Sequence, residues 1–149
     1  ELNMNLLTAI DFSESSQVII EKTQELAKAM SAKVWLLHIA DPDPDFVGYE
    51  IDTPAMRDVT AERYRKEHRQ LQQLSDNLRV NGTNCTALLI QGPTVETIIN
   101  ETSRLSIDML IMGSHGKGIF KRLLLGSISE EVLHKSPVPV LIVPTNLAT

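Results

Sequence analysis

A chain of 149 residues can bury roughly 70% of the surface its extended form exposes, so it reads as one domain, 1–149, that needs no staple. A net charge of −5 and a pI near 5.3 exclude a nucleic-acid or anionic-membrane surface, which excess lysine and arginine would have to carry. The single Cys85 rules out an internal disulfide, and there is no leader-like segment or spanning run of ~20 apolar residues. The expectation is therefore a cytoplasmic protein whose partners are small molecules or protein.

Residues 1–3 precede Met4 and are read as a remnant outside the fold. Residues 5–11 (NLLTAID) are too short and too apolar for a surface helix and predict a buried strand. Ser13 is placed to cap the helix that follows, with Glu14 in its first turn. Ile19, Thr23, Leu26, Ala27 and Met30 then give that helix one buried stripe. Residues 33–39 (KVWLLHI) are again almost continuously apolar, as a parallel strand covered on both faces requires. Asp41-Pro42-Asp43-Pro44-Asp45 opens a surface loop over 41–52, because proline lacks a ladder donor and the acids repel.

Thr53-Pro54 predicts an N-cap followed by proline at the first helical position. The long helix after it carries Val59, Tyr64, Leu71, Leu74 and Leu78 as its apolar stripe and ends at Asn81-Gly82. Its basic cluster, Arg63, Arg65, Lys66, His68 and Arg69, is interleaved with Glu62 and Glu67 and reads as a solvated face. A third strand at 86–90 leads through Gln91-Gly92-Pro93 to a shorter helix with Val95, Ile98, Ile99 and Thr102 inward. A fourth strand follows at 107–112. Ser127 and Glu130 form a capping-box pattern for the last helix, Ser136-Pro137 stops it, and Val138 to Val143 is a strand that Pro139 demotes to an edge.

Between the fourth strand and the last helix lies GSHGKGIFKRLLLGSIS, residues 113–129. Gly113 and Gly116 let the backbone approach a ligand, nine residues follow, and Gly126-Ser127 opens the helix. Backbone donors at a turn and at a helix N-terminus suit a phosphate, so Ser114, His115, Ser127, Ile128 and Ser129 are candidate N–H or hydroxyl donors. A P-loop fails because Gly118 follows Lys117. A dinucleotide fingerprint fails because these glycines follow the fourth strand, and a nucleophile elbow fails at Met112. Lys117, Lys121 and Arg122 lie in the spacer, with at most one expected to reach phosphate. His38 reads as a satisfied core histidine and His134 as a cation at its helix C-terminus.

The pattern G-x-x-G, nine residues, G-[ST], with Thr8-Ala9-Ile10-Asp11-Phe12-Ser13, Leu36-Leu37-His38-Ile39 and Ile111-Met112-Gly113-Ser114-His115-Gly116, resembles the universal stress protein (UspA-like) family in its ATP-binding subgroup. The resemblance runs from about Asn5 to Pro144. It implies a three-layer α/β/α fold, an open five-stranded parallel sheet in the order 3-2-1-4-5, Rossmann-like and of the adenine nucleotide alpha hydrolase type. It also implies that Ala9, Ile10 and Asp11 line the sugar and base, with Asp11 accepting from ribose hydroxyls or helping to hold a divalent ion. Ile39 would read the adenine edge through its backbone, and Met112 would lie with Gly113 in the loop. The ligand implied is ATP, or AMP or ADP, with Mg²⁺ or Mn²⁺ possible on the phosphates, and the last strand is expected to pair across a two-fold axis into a homodimer.

On this reading the protein is a nucleotide-binding stress-response regulator, and no catalytic residue is assigned. The alternative is a slow ATPase or a phosphoryl- or nucleotidyl-transfer enzyme on the same scaffold, for which a positioned base and transition-state cations are needed. A receiver domain is rejected, since Gln91 and Pro144 stand where an Asp and a Lys are required. An oligomerisation module with a vestigial cleft is the remaining alternative.

Overall fold

The computed structural model describes residues 3–40, 54–115 and 125–145. Strand and helix alternate as β1 (Asn5–Ile10), α1 (Ser16–Met30), β2 (Lys33–Ala40), α2 (Pro54–Val80), β3 (Asn84–Gln91), α3 (Thr94–Arg104), β4 (Met109–Gly113), α4 (Ser127–Lys135) and β5 (Val140–Val143). The five strands make one sheet in the order β3-β2-β1-β4-β5, and each pairing is parallel. This is the expected Rossmann-like order. The chain winds outward from β1 to β3, then returns past β1 to lay down β4 and β5.

Alternating strand residues feed two apolar layers. Leu6, Leu36 and Ile111 pack with Ile20, Leu71 and Leu78 from α1 and α2, while Leu7, Leu37 and Leu110 pack with Ile98 and Val132 from α3 and α4. Burying each such side chain contributes about 1.5–3 kcal/mol. β1, inside both layers, leaves Leu6, Leu7 and Thr8 without exposure. The Thr8 hydroxyl is satisfied: Thr23 Oγ1 gives its hydrogen to Ile19 O at 2.8 Å, so Thr8 donates to Thr23 at 3.0 Å.

α2 starts at Pro54 as expected. It closes with Thr83 N–H on Leu78 O and Gly82 N–H on Arg79 O, both at 2.9 Å, and with Gly82 at φ 91°. This is the Schellman closure that a glycine after the helix permits. Of its predicted stripe, Leu71 and Leu78 are buried, whereas Val59 is 67% exposed.

Two predicted caps are not formed. α1 begins at Ser16, with Ser15 at the N-cap making no side-chain bond. The Ser13 hydroxyl has no hydrogen-bond partner among the described residues, and Glu14 precedes the helix. Asp11 supplies the turn instead, its Oδ1 accepting from Ser13 N–H at 3.0 Å, with Phe12 in the left-handed region at φ 60°. At α4 the N-cap is Gly126, and Ser127 is already helical, so a Ser127–Glu130 capping box cannot close. β5 is shorter than predicted: Pro139 lies outside it and its carbonyl accepts from Leu110 N–H at 3.0 Å. The 41–52 loop, Thr53 and residues 116–124 lie outside the described residues. Among the described residues no helix is long and apolar enough to cross a membrane.

Candidate functional site

The sheet order reverses between β1 and β4, and at their carboxyl ends a cleft of about 530 Å³ opens. This is where open α/β sheets receive ligands. β1 sends Ala9, Ile10 and Asp11 to it, β2 sends Ile39, and β4 sends Met112, Gly113 and His115. The start of α4 adds Gly126, Ser127, Ile128 and Ser129. Ser114 is not part of the lining, and Gly116 lies outside the described residues.

Hydrogen bonding sorts the predicted donors. Ser114 N–H is spent on Val143 O at 2.9 Å, extending the β4–β5 ladder by one residue. His115 N–H is spent on Thr145 Oγ1 at 3.2 Å. The Ser129 hydroxyl donates to Gly113 O at 2.7 Å, and Gly126 N–H donates to Ser114 O at 2.8 Å. The first two bonds tie the end of β4 to β5 and the segment after it, and the last two tie it to the start of α4. They narrow the sequence expectation, because three of the candidate donor groups, Ser114 N–H, His115 N–H and the Ser129 hydroxyl, hold the loop itself.

The main-chain N–H groups of Ser127, Ile128 and Ser129 remain. The first α-helical bond of α4 is Glu130 N–H to Gly126 O at 2.9 Å, so these three precede it, as first-turn amides do, and have no acceptor among the described residues. All three residues line the cleft. They combine open donors with the positive end of the helix dipole, which suits an anion.

Gly113 has a packing role as well. A Cβ there would stand 2.8 Å from Ile19 Cδ1 and 2.9 Å from Thr145 Cγ2, so glycine lets α1 and the segment after β5 close on the loop. Thr145, buried at 6% exposure, was invisible in the sequence. Its Oγ1 also donates to His115 O at 3.3 Å, and its N–H reaches Ser114 Oγ at 3.0 Å. Ser114 Oγ lies 3.0 Å from His115 Nδ1.

Residues that the sequence reading did not assign to the site also reach it, from β2, α2 and the start of α3. His38, Arg63, Glu67 and Thr94 all line the cleft. His38 is buried, with Nδ1 2.9 Å from Ile10 O and its ring 4.2 Å from that of Phe12, so the satisfied-histidine reading holds and the residue also faces the cleft. The solvated-face reading of α2 holds for Glu62, Arg65 and Arg69, whose exposed side chains pair at 3.0 and 3.8 Å. The hydrogen bond from Arg65 keeps the Glu62 carboxyl below its ordinary pKa. It fails for Arg63 and Glu67. They precede Leu71 by eight and four residues, so helical phase turns them toward the sheet, a signal the charge pattern concealed. Among the described residues no cluster of three or more His, Cys, Asp or Glu side chains could hold a metal ion.

The Universal stress protein family profile matches residues 3–144. The chain belongs to the universal stress protein family. A universal stress protein of Thermus aquaticus, described by its place in a QAH/OAS sulfhydrylase 3' region, is 30% identical over 138 residues, covering 93% of this chain and 96% of its own. The solved structure of MJ0577, from Methanocaldococcus jannaschii, superposes with a TM-score of 0.81 at 26% identity over 97% of both chains. A universal stress protein solved in complex with cAMP shares the fold, with a TM-score of 0.69 at 21% identity over 97% of this chain and 99% of its own.

Proposed function

We propose that this universal stress protein binds an adenine nucleotide, ATP or its AMP or ADP relatives, and works as a dimeric regulatory module in the cytoplasm. The observation that carries the reading is the set of three open first-turn amides of α4 facing a cleft that also contains the Asp11 carboxylate. β2 and β4 flank β1, so their ends lie roughly 10 Å apart, a span that suits a nucleotide laid across the strand ends. Phosphates sit on the amides of Ser127, Ile128 and Ser129, the ribose on Asp11, and the base over Ala9 and Ile39 toward β2. Any Mg²⁺ or Mn²⁺ arrives with the phosphates. The cAMP complex of a neighbour with the same fold supports an adenine nucleotide as the ligand.

The dimer reading rests on β5. It is an edge strand in the sheet order, and Val140, Leu141 and Ile142 are only partly covered, an arrangement that favours pairing with a second copy. A strictly monomeric species in sedimentation at micromolar concentration would remove that part of the proposal.

The ligand is tested on the purified full chain by its absorbance ratio at 260 and 280 nm and by mass spectrometry of what acid precipitation releases. Calorimetry with ATP follows on stripped protein. Saturable binding is the expected result, and folded protein that takes up no adenine nucleotide refutes the proposal. Steady turnover of excess ATP with rapid phosphate release would instead favour the enzyme reading.

A further inference from the structure

The cleft lining contains a carboxylate whose surroundings are unusual. Glu67 lines the cleft, yet its Oε2 is shut off from solvent and has no hydrogen-bond partner among the described residues. That oxygen lies 3.6 Å from His38 Nε2, outside hydrogen-bond range. Ile10 O can only accept, so His38 Nδ1 carries a hydrogen whatever the charge of the ring. Nε2 is therefore the ring atom that meets Glu67, and the Phe12 ring packs against the imidazole. A carboxylate in such a place is costly unless a donor reaches it. With Oε2 turned to His38 and Glu67 in the cleft lining, the carboxylate can accept from a donor in the cleft.

The chemistry of that donor follows from where Glu67 stands. Phosphate is excluded, because a carboxylate repels it. On the nucleotide reading above the sugar belongs to Asp11, just after β1. Glu67 stands beside His38 on β2, across β1 from the α4 amides, where the base of the nucleotide must lie. A base offers N–H groups, and on adenine the exocyclic amine is the donor. We infer that Glu67 is a specificity-determining residue that accepts a hydrogen bond from the exocyclic amine of the bound base, with His38, whose ring lies beside it, as the positioning residue. The inference rests on the nucleotide reading above and adds to it the group that selects the base.

The test compares ATP with purine riboside triphosphate, which has the same sugar and phosphates but no amine, by calorimetry on the full-length chain. The parent should prefer ATP by about tenfold or more, as a hydrogen bond to a charged acceptor implies. Glu67→Met should bind both triphosphates alike, near the parent's affinity for purine riboside triphosphate. Glu67→Gln, which retains the shape, should reduce the preference several-fold, and it decides the matter if Glu67→Met does not fold by circular dichroism. His38→Asn should also lower the ratio of the two affinities, which a general loosening of the cleft, weakening both triphosphates in proportion, would leave unchanged. A Glu67 variant that keeps the parent's preference overturns the inference and leaves the nucleotide reading standing. A parent that binds neither triphosphate overturns both.

Discussion

Replacing Ser127 by proline removes one main-chain donor from the proposed phosphate site with little strain on the backbone. Ser127 is the first residue of α4, where proline's fixed φ is already helical and its missing N–H breaks no intrahelical bond. Gly126 before it has φ −61° and ψ 152°, the extended conformation that a residue preceding proline prefers. Stability should therefore stay within about 1 kcal/mol of the parent. A hydrogen bond to a charged group contributes about 1.5–3 kcal/mol, so losing one should raise the Kd for ATP roughly 10- to 150-fold at ~1.4 kcal/mol per decade. The proper reference is Ser127→Ala, which loses the hydroxyl but keeps the amide. Calorimetry and thermal melts on both variants separate the two contributions. If the proline variant melts like the alanine variant and also binds ATP equally well, the first-turn amides do not hold the phosphates.

Thr145→Val keeps the shape of the side chain but leaves His115 N–H without its 3.2 Å acceptor. It should cost about 1–3 kcal/mol, read as a lowered melting temperature and, because the loop is no longer pinned, as weaker ATP binding that Thr145→Ser restores. Gly113→Ala puts a methyl 2.8 Å from Ile19 Cδ1 and 2.9 Å from Thr145 Cγ2 and should cost about 1–3 kcal/mol by overpacking, measured by urea unfolding. Burial pushes the Cys85 thiol pKa up, partly offset by Ser75, so iodoacetamide should label the native protein slowly at pH 8 and quickly in denaturant. With the folded pKa above the unfolded one, the thiol's contribution to stability is complete below the unfolded value and is lost as pH rises through the folded value. The parent should therefore lose more stability than Cys85→Ala in alkaline buffer.

The sheet was legible because its strands announce themselves. The Lys33–Ala40 run is too apolar to be anything but covered on both faces, and each such run is followed by a helical repeat. Helix starts were less legible, because Ser13 and Ser127 satisfy a local pattern that the three-dimensional turn overrides. Asp11 closes an Asx-type turn before Ser13 can cap, and the extended backbone at Gly126 makes that residue the N-cap, one position before the expected Ser127. In the site, the cleft-lining residues near the glycines could be read from spacing, but not which of their amides were still open. That is decided by Val143 and Thr145, about thirty residues away in sequence, and no local signal foretells it. Arg63 and Glu67 were hidden for a different reason: interleaved charge suggests solvent, while phase with Leu71 dictates the inward direction.

The most direct test of the central claim is the equilibrium titration of nucleotide-stripped full-length protein with ATP in the presence of Mg²⁺. Saturable binding of one nucleotide per chain is expected, weakened in Ser127→Pro and preserved in Ser127→Ala. A folded protein that shows no binding even at millimolar ATP would contradict it.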